Sequence, residues 1–359
     1  MNILHVMAQA EWGGGEQYVY DLTKQQIACG HNVVMLSAPS ASIAEKISQL
    51  CCPHYVIKHR GRFNPYSIYR FRKIITRHKI DVVHVNQFQD AFIAVFAALT
   101  ITSTKAPKVV MTRHLVRKGK SNFLYRWLYK KIHKLIFVSQ LAKDAFSTHI
   151  SLSDNKAVVI HNSIVPFATT TDGIDYRKQF GLDQQCVLIG YVGRLVDFKG
   201  VELLIETAEK FVKKNVVFLL AGSGDKNYEH HLHQLIKEKQ LERKLFLLGF
   251  LNKPENFIAK VDIGILPSLC IESFGLSVLQ FMCAGIPVIA SNTGAQPEFV
   301  KNGETGILVT PTIVEIENAL LELLKDEKKR QKIGVNAKRY CEKFLSYDIF
   351  FQKTMNAYL

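Results

Sequence analysis

The segment Leu266-Pro267-Ser268-Leu269-Cys270-Ile271-Glu272-Ser273-Phe274-Gly275, followed by Leu276-Ser277-Val278-Leu279-Gln280-Phe281-Met282-Cys283-Ala284 and Gly285-Ile286-Pro287, constrains this chain more than any other. An apolar run ends in a polar loop, the loop enters an amphipathic helical pattern, and Gly-Ile-Pro opens a second apolar run. The order predicts strand, loop, helix, strand. Glu272 stands in the loop just before the helix, and Gly275 lets a ligand approach the first free backbone N–H groups. Helix N-termini carry unpaired donors and a partial positive charge, which suits an electron-rich ligand. Glu272 can accept hydrogen bonds from sugar hydroxyls beside them. The combination describes a pocket for a sugar joined to phosphate.

Strand-like and helical runs alternate along the whole chain, the mark of parallel α/β sheets. Strands are expected over 3–8, 31–37, 81–85, 108–112, 135–139 and 157–160, then over 187–193, 216–221, 244–248, 263–266, 287–291 and 307–309. Helices are expected over 201–213, 228–239, 276–284, 313–325 and 328–344. With 359 residues, 48% of them apolar, the chain can fill two cores of roughly 150–200 residues each. The break falls where Pro166 precedes the turn-rich Thr169-Thr170-Thr171-Asp172-Gly173. This predicts an N-terminal domain over 1–165, a second over 166–345 and a final helical segment over 346–359. The fold class is α/β, with two doubly wound, Rossmann-like parallel-sheet domains facing across a cleft. Ligands of such sheets bind beyond the carboxyl ends of the strands.

The longest lipid-like run, Ala91 to Leu99, is about half of a membrane span. The start, Met1-Asn2-Ile3-Leu4-His5-Val6, lacks a basic region and reads as a first strand, not a signal peptide. Seven cysteines fall at no metal-ligand spacing and read as reduced thiols. Charge is uneven. Residues 1–165 hold 22 Lys and Arg against 8 Asp and Glu, while residues 166–359 hold 24 against 23. The excess therefore belongs to the first half, which calls for an anionic neighbour.

Two further loops follow first strands. Gly193-Arg194-Leu195-Val196-Asp197-Phe198-Lys199-Gly200 brackets a turn with two cations, enough to hold a nucleotide diphosphate without a metal. Gly13-Gly14-Gly15-Glu16 offers backbone access to a phosphate. A dinucleotide fingerprint would need glycine at position 18, which is Tyr18.

Taken together, these motifs resemble the retaining family 4 glycosyltransferases of the GT-B fold, in which a Glu-x7-Glu pattern spans the loop and helix described first. Glu272 matches the first glutamate, and Gln280 stands in place of the second. The resemblance implies that Arg194 and Lys199 bind the donor pyrophosphate, that Gly14 and Gly15 line the donor, and that Glu272, Ser273, Phe274, Gly275 and Leu276 hold its sugar and phosphates. It further implies that Gly193 binds the donor, that the loops Gly222-Ser223-Gly224 and Gly249-Phe250-Leu251 shape the nucleoside pocket, and that His114 lies near the transferred sugar. Ser139, Asn162 and Glu298 match family landmarks and read as scaffold. Gln280 can accept from one ribose hydroxyl and donate to the other, so it weakens donor binding without touching the chemistry. No cofactor is implied beyond a nucleotide-diphosphate sugar, with a UDP-sugar favoured over a GDP-sugar.

Basic segments account for the charge. One runs from Lys58-His59-Arg60-Gly61-Arg62-Phe63 to Arg70-Phe71-Arg72-Lys73. The other, including Arg117, Lys118, Lys120, Arg126, Trp127, Lys130 and Lys131, mixes cations with aromatic residues and suits an anionic bilayer surface. The chain contains no nucleic-acid module. The expected function is a metal-independent, retaining glycosyltransferase acting on a glycan acceptor, with a lipid-linked one favoured, in cell-surface polysaccharide or lipopolysaccharide assembly. Its expected location is cytoplasmic, peripheral to the inner face of the cell membrane. A sugar-nucleotide epimerase on the same fold and a catalytically weak scaffold subunit are the alternatives.

Overall fold

Apolar runs such as Val216-Val217-Phe218-Leu219-Leu220-Ala221 have no polar face, so they stay out of water only with helices on both sides of the sheet. The computed structural model, which describes all residues except 8, 10–11, 59–60, 103–104 and 168–173, builds two such sheets. The first contains β1 (Asn2–Met7), β2 (Asn32–Ser37), β3 (His54–Val56), β4 (Val82–Val85), β5 (Lys108–Arg113), β6 (Lys134–Phe137) and β7 (Ala157–Val159). Its order is β3-β2-β1-β4-β5-β6-β7, with every described pairing parallel. The second contains β8 (Val187–Val192), β9 (Val216–Ala221), β10 (Leu245–Gly249), β11 (Ile263–Leu266), β12 (Val288–Ser291) and β13 (Ile307–Val309). Its order is β10-β9-β8-β11-β12-β13, again parallel.

In each sheet the winding reverses once, between β1 and β4 and between β8 and β11. A crevice opens beyond the carboxyl ends of the strands at such a point. The chain divides into Met1–Asn162 with Asp348–Leu359, and Ser163–Tyr347.

The apolar run from Ala91 lies in the helix Phe88–Leu99, eight of whose residues are buried in the first unit's core. No described helix is long and apolar enough to cross a membrane. The helix expected over 201–213 ends at Lys210, and β10 lies one residue later than expected, at Leu245–Gly249. Strand β3 is an addition to the expected set, because His54-Tyr55-Val56 is short, half-buried and at the sheet edge. Ala8, His59, Arg60 and the turn-rich Thr169 to Gly173 lie outside the described residues.

A buried polar chain ties the C-terminal helix Tyr347–Tyr358 to the first sheet. His5 Nε2 donates to Gln26 Oε1 at 2.7 Å, and the Gln26 amide donates to the Tyr358 hydroxyl at 3.3 Å. The Tyr358 proton is then directed to His84 Nδ1 at 2.6 Å, which leaves His84 Nε2–H to donate to Thr112 Oγ1 at 2.7 Å. Thr112 Oγ1 lies 3.3 Å from the Tyr18 hydroxyl. Burial holds His5 down to about 4 and His84 well below its ordinary range.

Both histidines fold neutral and would be charged in the unfolded chain, so the unfolded state takes up more protons as pH falls. Their contribution is undiminished above the unfolded value near 6.5, and stability is lost between there and about 4. The expected loss for the first unit is about 1.4 kcal/mol per pH unit for each histidine. Urea unfolding at about pH 7 and about pH 5 measures it, with His5→Gln removing one histidine's share. Stability unchanged across that interval would contradict neutral burial.

Candidate functional site

The crevice of the second sheet lies between the loops that follow β8 and β11. After β8 the chain passes Gly193 and Arg194, makes a single 3-10 turn over Asp197–Lys199, and enters the helix Val201–Lys210. After β11 it passes Pro267 to Phe274 and enters the helix Leu276–Cys283, with Gly275 as N-cap and no side chain capping that end. Main-chain bonds stitch the two loops together, since Leu269 N and Cys270 N both donate to Phe198 O, at 3.0 and 3.2 Å. Gly200, at φ +73°, packs so closely on Pro267 that a Cβ there would lie 2.1 Å from its carbonyl oxygen.

This stitching brings the acid and one cation into contact. Lys199 Nζ forms an ion pair with Glu272 Oε1. Ser268 Oγ donates to the same oxygen at 2.5 Å, and Ser268 is itself held by Ser291 Oγ donating to its carbonyl at 2.8 Å. Glu272 is 9% exposed, so its charge needs these partners. The backbone of Glu272 is clamped from β12's loop as well: Ala295 N donates to Glu272 O at 2.9 Å. Gly294, at φ +74°, leaves no room for a Cβ, which would sit 2.5 Å from Glu272 N and O. The Gly294-Ala295-Gln296-Pro297-Glu298 turn thus acts as a scaffold for Glu272. Arg194 is exposed, its guanidinium 5.7 Å from the centroid of the Phe198 ring, and its carbonyl accepts from the buried Tyr191 hydroxyl at 2.8 Å. Burial, with the Glu272 carboxylate adding, pushes Tyr191 above its ordinary pKa, so it remains a hydroxyl donor.

Several expected contacts take a different form. Phe274 is buried and stacked on Phe299 at 4.7 Å, so its side chain belongs to the core and only its main chain remains for a ligand. Arg194, Lys199 and Glu272 all belong to the second unit. Ser273, Leu276 and Gln280 are half-buried, and Phe250 is 67% exposed just beyond β10. Gly193 lies against the Tyr191 hydroxyl, 2.7 Å from where a Cβ would be. The Gly222-Ser223-Gly224 turn packs on this loop, with Leu195 N donating to Ser223 O at 2.9 Å.

In the first unit, Gly13 to Gly15 do not form a left-handed turn. Gly13 is extended and N-caps the helix Gly14–Ala28, with no side-chain cap, so Gly14 and Gly15 form the first helical turn. His114 follows β5 directly. Its Nε2 lies 3.0 Å from Asn86 Oδ1, and Asn86 Nδ2 donates to Val6 O at 3.3 Å, an arrangement that leaves His114 Nδ1 as the acceptor. The Tyr18 ring meets His114 edge-on at 4.9 Å. Burial first, then the Arg113 charge, lower His114 to about 4. At neutral pH it accepts hydrogen bonds well and is a weak base. Ser139 caps the helix Gln140–Ser147, accepting from Ala142 N at 3.2 Å. Sequence reasoning missed Asn86, Ser268 and Tyr191. Asn86 carried a signal, as a polar residue immediately beyond a strand next to the winding reversal.

On the first unit's surface Arg117, Lys118, Lys120, Arg126, Lys130 and Lys131 are all exposed, as is Phe123, at 86%. Trp127 is a correction: its indole stacks on Phe96 at 5.1 Å, packed against the core. The indole is half-buried, so only part of it is open to a surface ligand.

Comparison with known proteins agrees with this geometry. Residues 12–166 match the model of Glycosyltransferase Family 4, and residues 173–340 match that of Glycosyl transferases group 1. An uncharacterised glycosyltransferase of Methanocaldococcus jannaschii is 28% identical over 300 residues, covering 78% of this chain and 75% of that protein. An O-antigen biosynthesis glycosyltransferase of Escherichia coli is 32% identical over 167 residues, or 46% of this chain and 44% of its own length. The crystal structure of Anabaena HepE in complex with UDP and glucose superposes with a TM-score of 0.84 at 21% identity, covering 99% and 98% of the two chains. The fold is GT-B.

Gly294→Ala tests the clamp on Glu272. Gly303→Ala is the control, at φ +75° with open space around it. The control should cost about 1–2 kcal/mol of conformational strain, and Gly294→Ala about 1–3 kcal/mol more from overpacking. Melting curves should separate the two by several degrees; equal shifts would mean that the loop yields freely.

Proposed function

The chain belongs to glycosyltransferase family 4, and from that premise we propose that it moves a sugar from a nucleotide-diphosphate sugar to a hydroxyl of a glycan acceptor, with retention and without a metal. The observation that carries this reading is the pairing of Lys199 with Glu272 at the winding reversal of the second sheet, beside Arg194 and an uncapped helix start. A departing diphosphate gathers about two negative charges. Lys199, Arg194 and the N–H groups around Gly275 and Leu276 suit that charge, and fixed charges and dipoles of this kind usually do most to lower the barrier. A diphosphate competes with Glu272 for Lys199, which frees carboxylate oxygens to accept from sugar hydroxyls.

Retention requires the acceptor hydroxyl to attack on the face from which the diphosphate leaves. The departing phosphate is the stronger base for the acceptor proton, since His114, at about 4, binds protons weakly at neutral pH. His114 then serves to position a hydroxyl. Gln280 binds the ribose with one acceptor and one donor where a glutamate would accept twice.

A UDP-sugar is the favoured donor, supported by the UDP and glucose bound in the Anabaena neighbour. A lipid-linked acceptor in surface polysaccharide or lipopolysaccharide assembly is supported by the O-antigen relative and by the exposed cations between residues 117 and 131. Each cation near an anionic bilayer adds about 1 kcal/mol. The same surface suits peripheral attachment to the inner face of the cell membrane.

Transfer from a panel of radiolabelled nucleotide sugars is the test. Arg194→Ala and Lys199→Ala should each lower kcat/KM by about 10²–10³, in variants whose melting confirms folding. Gln280→Glu should tighten donor binding up to about ten-fold, with kcat unchanged. If neither cation matters to turnover, the diphosphate assignment is wrong.

A further inference from the structure

The helix Pro65–Arg77 of the first unit carries a second kind of surface. Asn64 caps it, accepting from Ser67 N at 3.0 Å, and Pro65 opens its first turn. Ser67, Phe71, Ile74 and Ile75 are buried on one side. Tyr66, Tyr69, Arg70, Lys73 and Arg77 fall at helical spacings of three and four and share the other side. With Tyr55 of edge strand β3 they line a cleft of about 350 Å³, floored by Ile74. Among the described residues no carboxylate lines this cleft, and the helix contains none.

Two chemistries meet here. Tyr66 and Tyr69 are 51% and 57% exposed at one mouth, more aromatic surface than a solvent-facing helix needs. Tyrosine rings offer a flat apolar face with a polar tip, which suits the C–H face and hydroxyls of a sugar. The three cations suit a carboxylate or phosphate. Two of the three rings are held: Arg70 Nη1 donates to the Tyr66 hydroxyl at 3.1 Å, and Tyr55 is hydrogen-bonded to His78 Nε2 at 2.8 Å. Preorganisation of this sort favours a shaped ligand. A bilayer would call for protruding apolar side chains, as Phe123 supplies elsewhere, whereas this surface is concave and tipped with hydroxyls.

We propose that the cleft binds a short acidic glycan segment, one or two sugars bearing a carboxylate or phosphate, at a site separate from the transfer chemistry. The volume lies near the small end of ligand pockets, about 300–1,000 Å³, which limits the occupant to a short segment. The choice of a glycan rests on the transferase reading; the cleft itself does not. Its role would be to retain an acidic acceptor on the first unit between turnovers.

The full chain is titrated calorimetrically with tetragalacturonate, with neutral cellotetraose and with phosphatidylglycerol vesicles, and nucleotide-sugar turnover is measured separately. Tetragalacturonate should bind at least about ten-fold more tightly than cellotetraose. Tyr69→Ala and Lys73→Gln should each weaken it about ten-fold with melting unchanged. Equal binding by wild type and variants, or variants that lose vesicle binding instead, would overturn the proposal in favour of no site or a bilayer face. Saccharide binding through these residues in a protein without turnover would uphold the cleft and sink the transferase reading.

Discussion

The second unit's chemistry depends on one buried carboxylate. Glu272 lies out of water, paired with Lys199, bonded by Ser268 and clamped through its backbone by Gly294 and Ala295. A buried carboxylate without such partners is costly to fold. Each partner comes from a different strand end, β8, β11 or β12, so the site exists only because those strands lie side by side. The close approaches at Gly200 and Gly294 follow from the same need, since backbone reaches backbone there with no space for a side chain.

The first unit solves a different problem. It keeps His5, His84 and His114 neutral by burial and joins two of them to Gln26, Thr112 and Tyr358. Neutral histidines each offer one donor and one acceptor, so they can complete a hydrogen-bonded chain without a counter-charge. This suits a region already rich in lysine and arginine, where further positive charge would repel. The chain's last helix closes that network, and its tyrosine is as much a part of the first core as any strand residue.

Strands are legible in the sequence where both faces are buried. Val216–Ala221 and Ile263–Leu266 read directly, because parallel strands under helices are apolar throughout, and even the short Ile307–Val309 is wholly apolar. His54–Val56 is illegible because none of its three residues is fully buried and no apolar run marks it. Side-chain direction is harder to read. Phe274 and Trp127 suggest surface roles by their neighbours in sequence, yet each stacks on an aromatic partner distant along the chain, Phe299 and Phe96. Asn86 gains meaning only when its neighbours in space are known, as does any lone polar residue.

What the sequence determined by itself is the class of fold and the kinds of group that meet a ligand. Apolar periodicity and glycine-cation loops act locally, over a strand and the turn that follows it. What the tertiary structure alone decided is which groups touch. Lys199 and Glu272 are 73 residues apart, His84 and Tyr358 274 apart, and nothing within either local stretch encodes the other. Strand order brings them together, and strand order depends on where the sheet reverses its winding, a property of the packed whole.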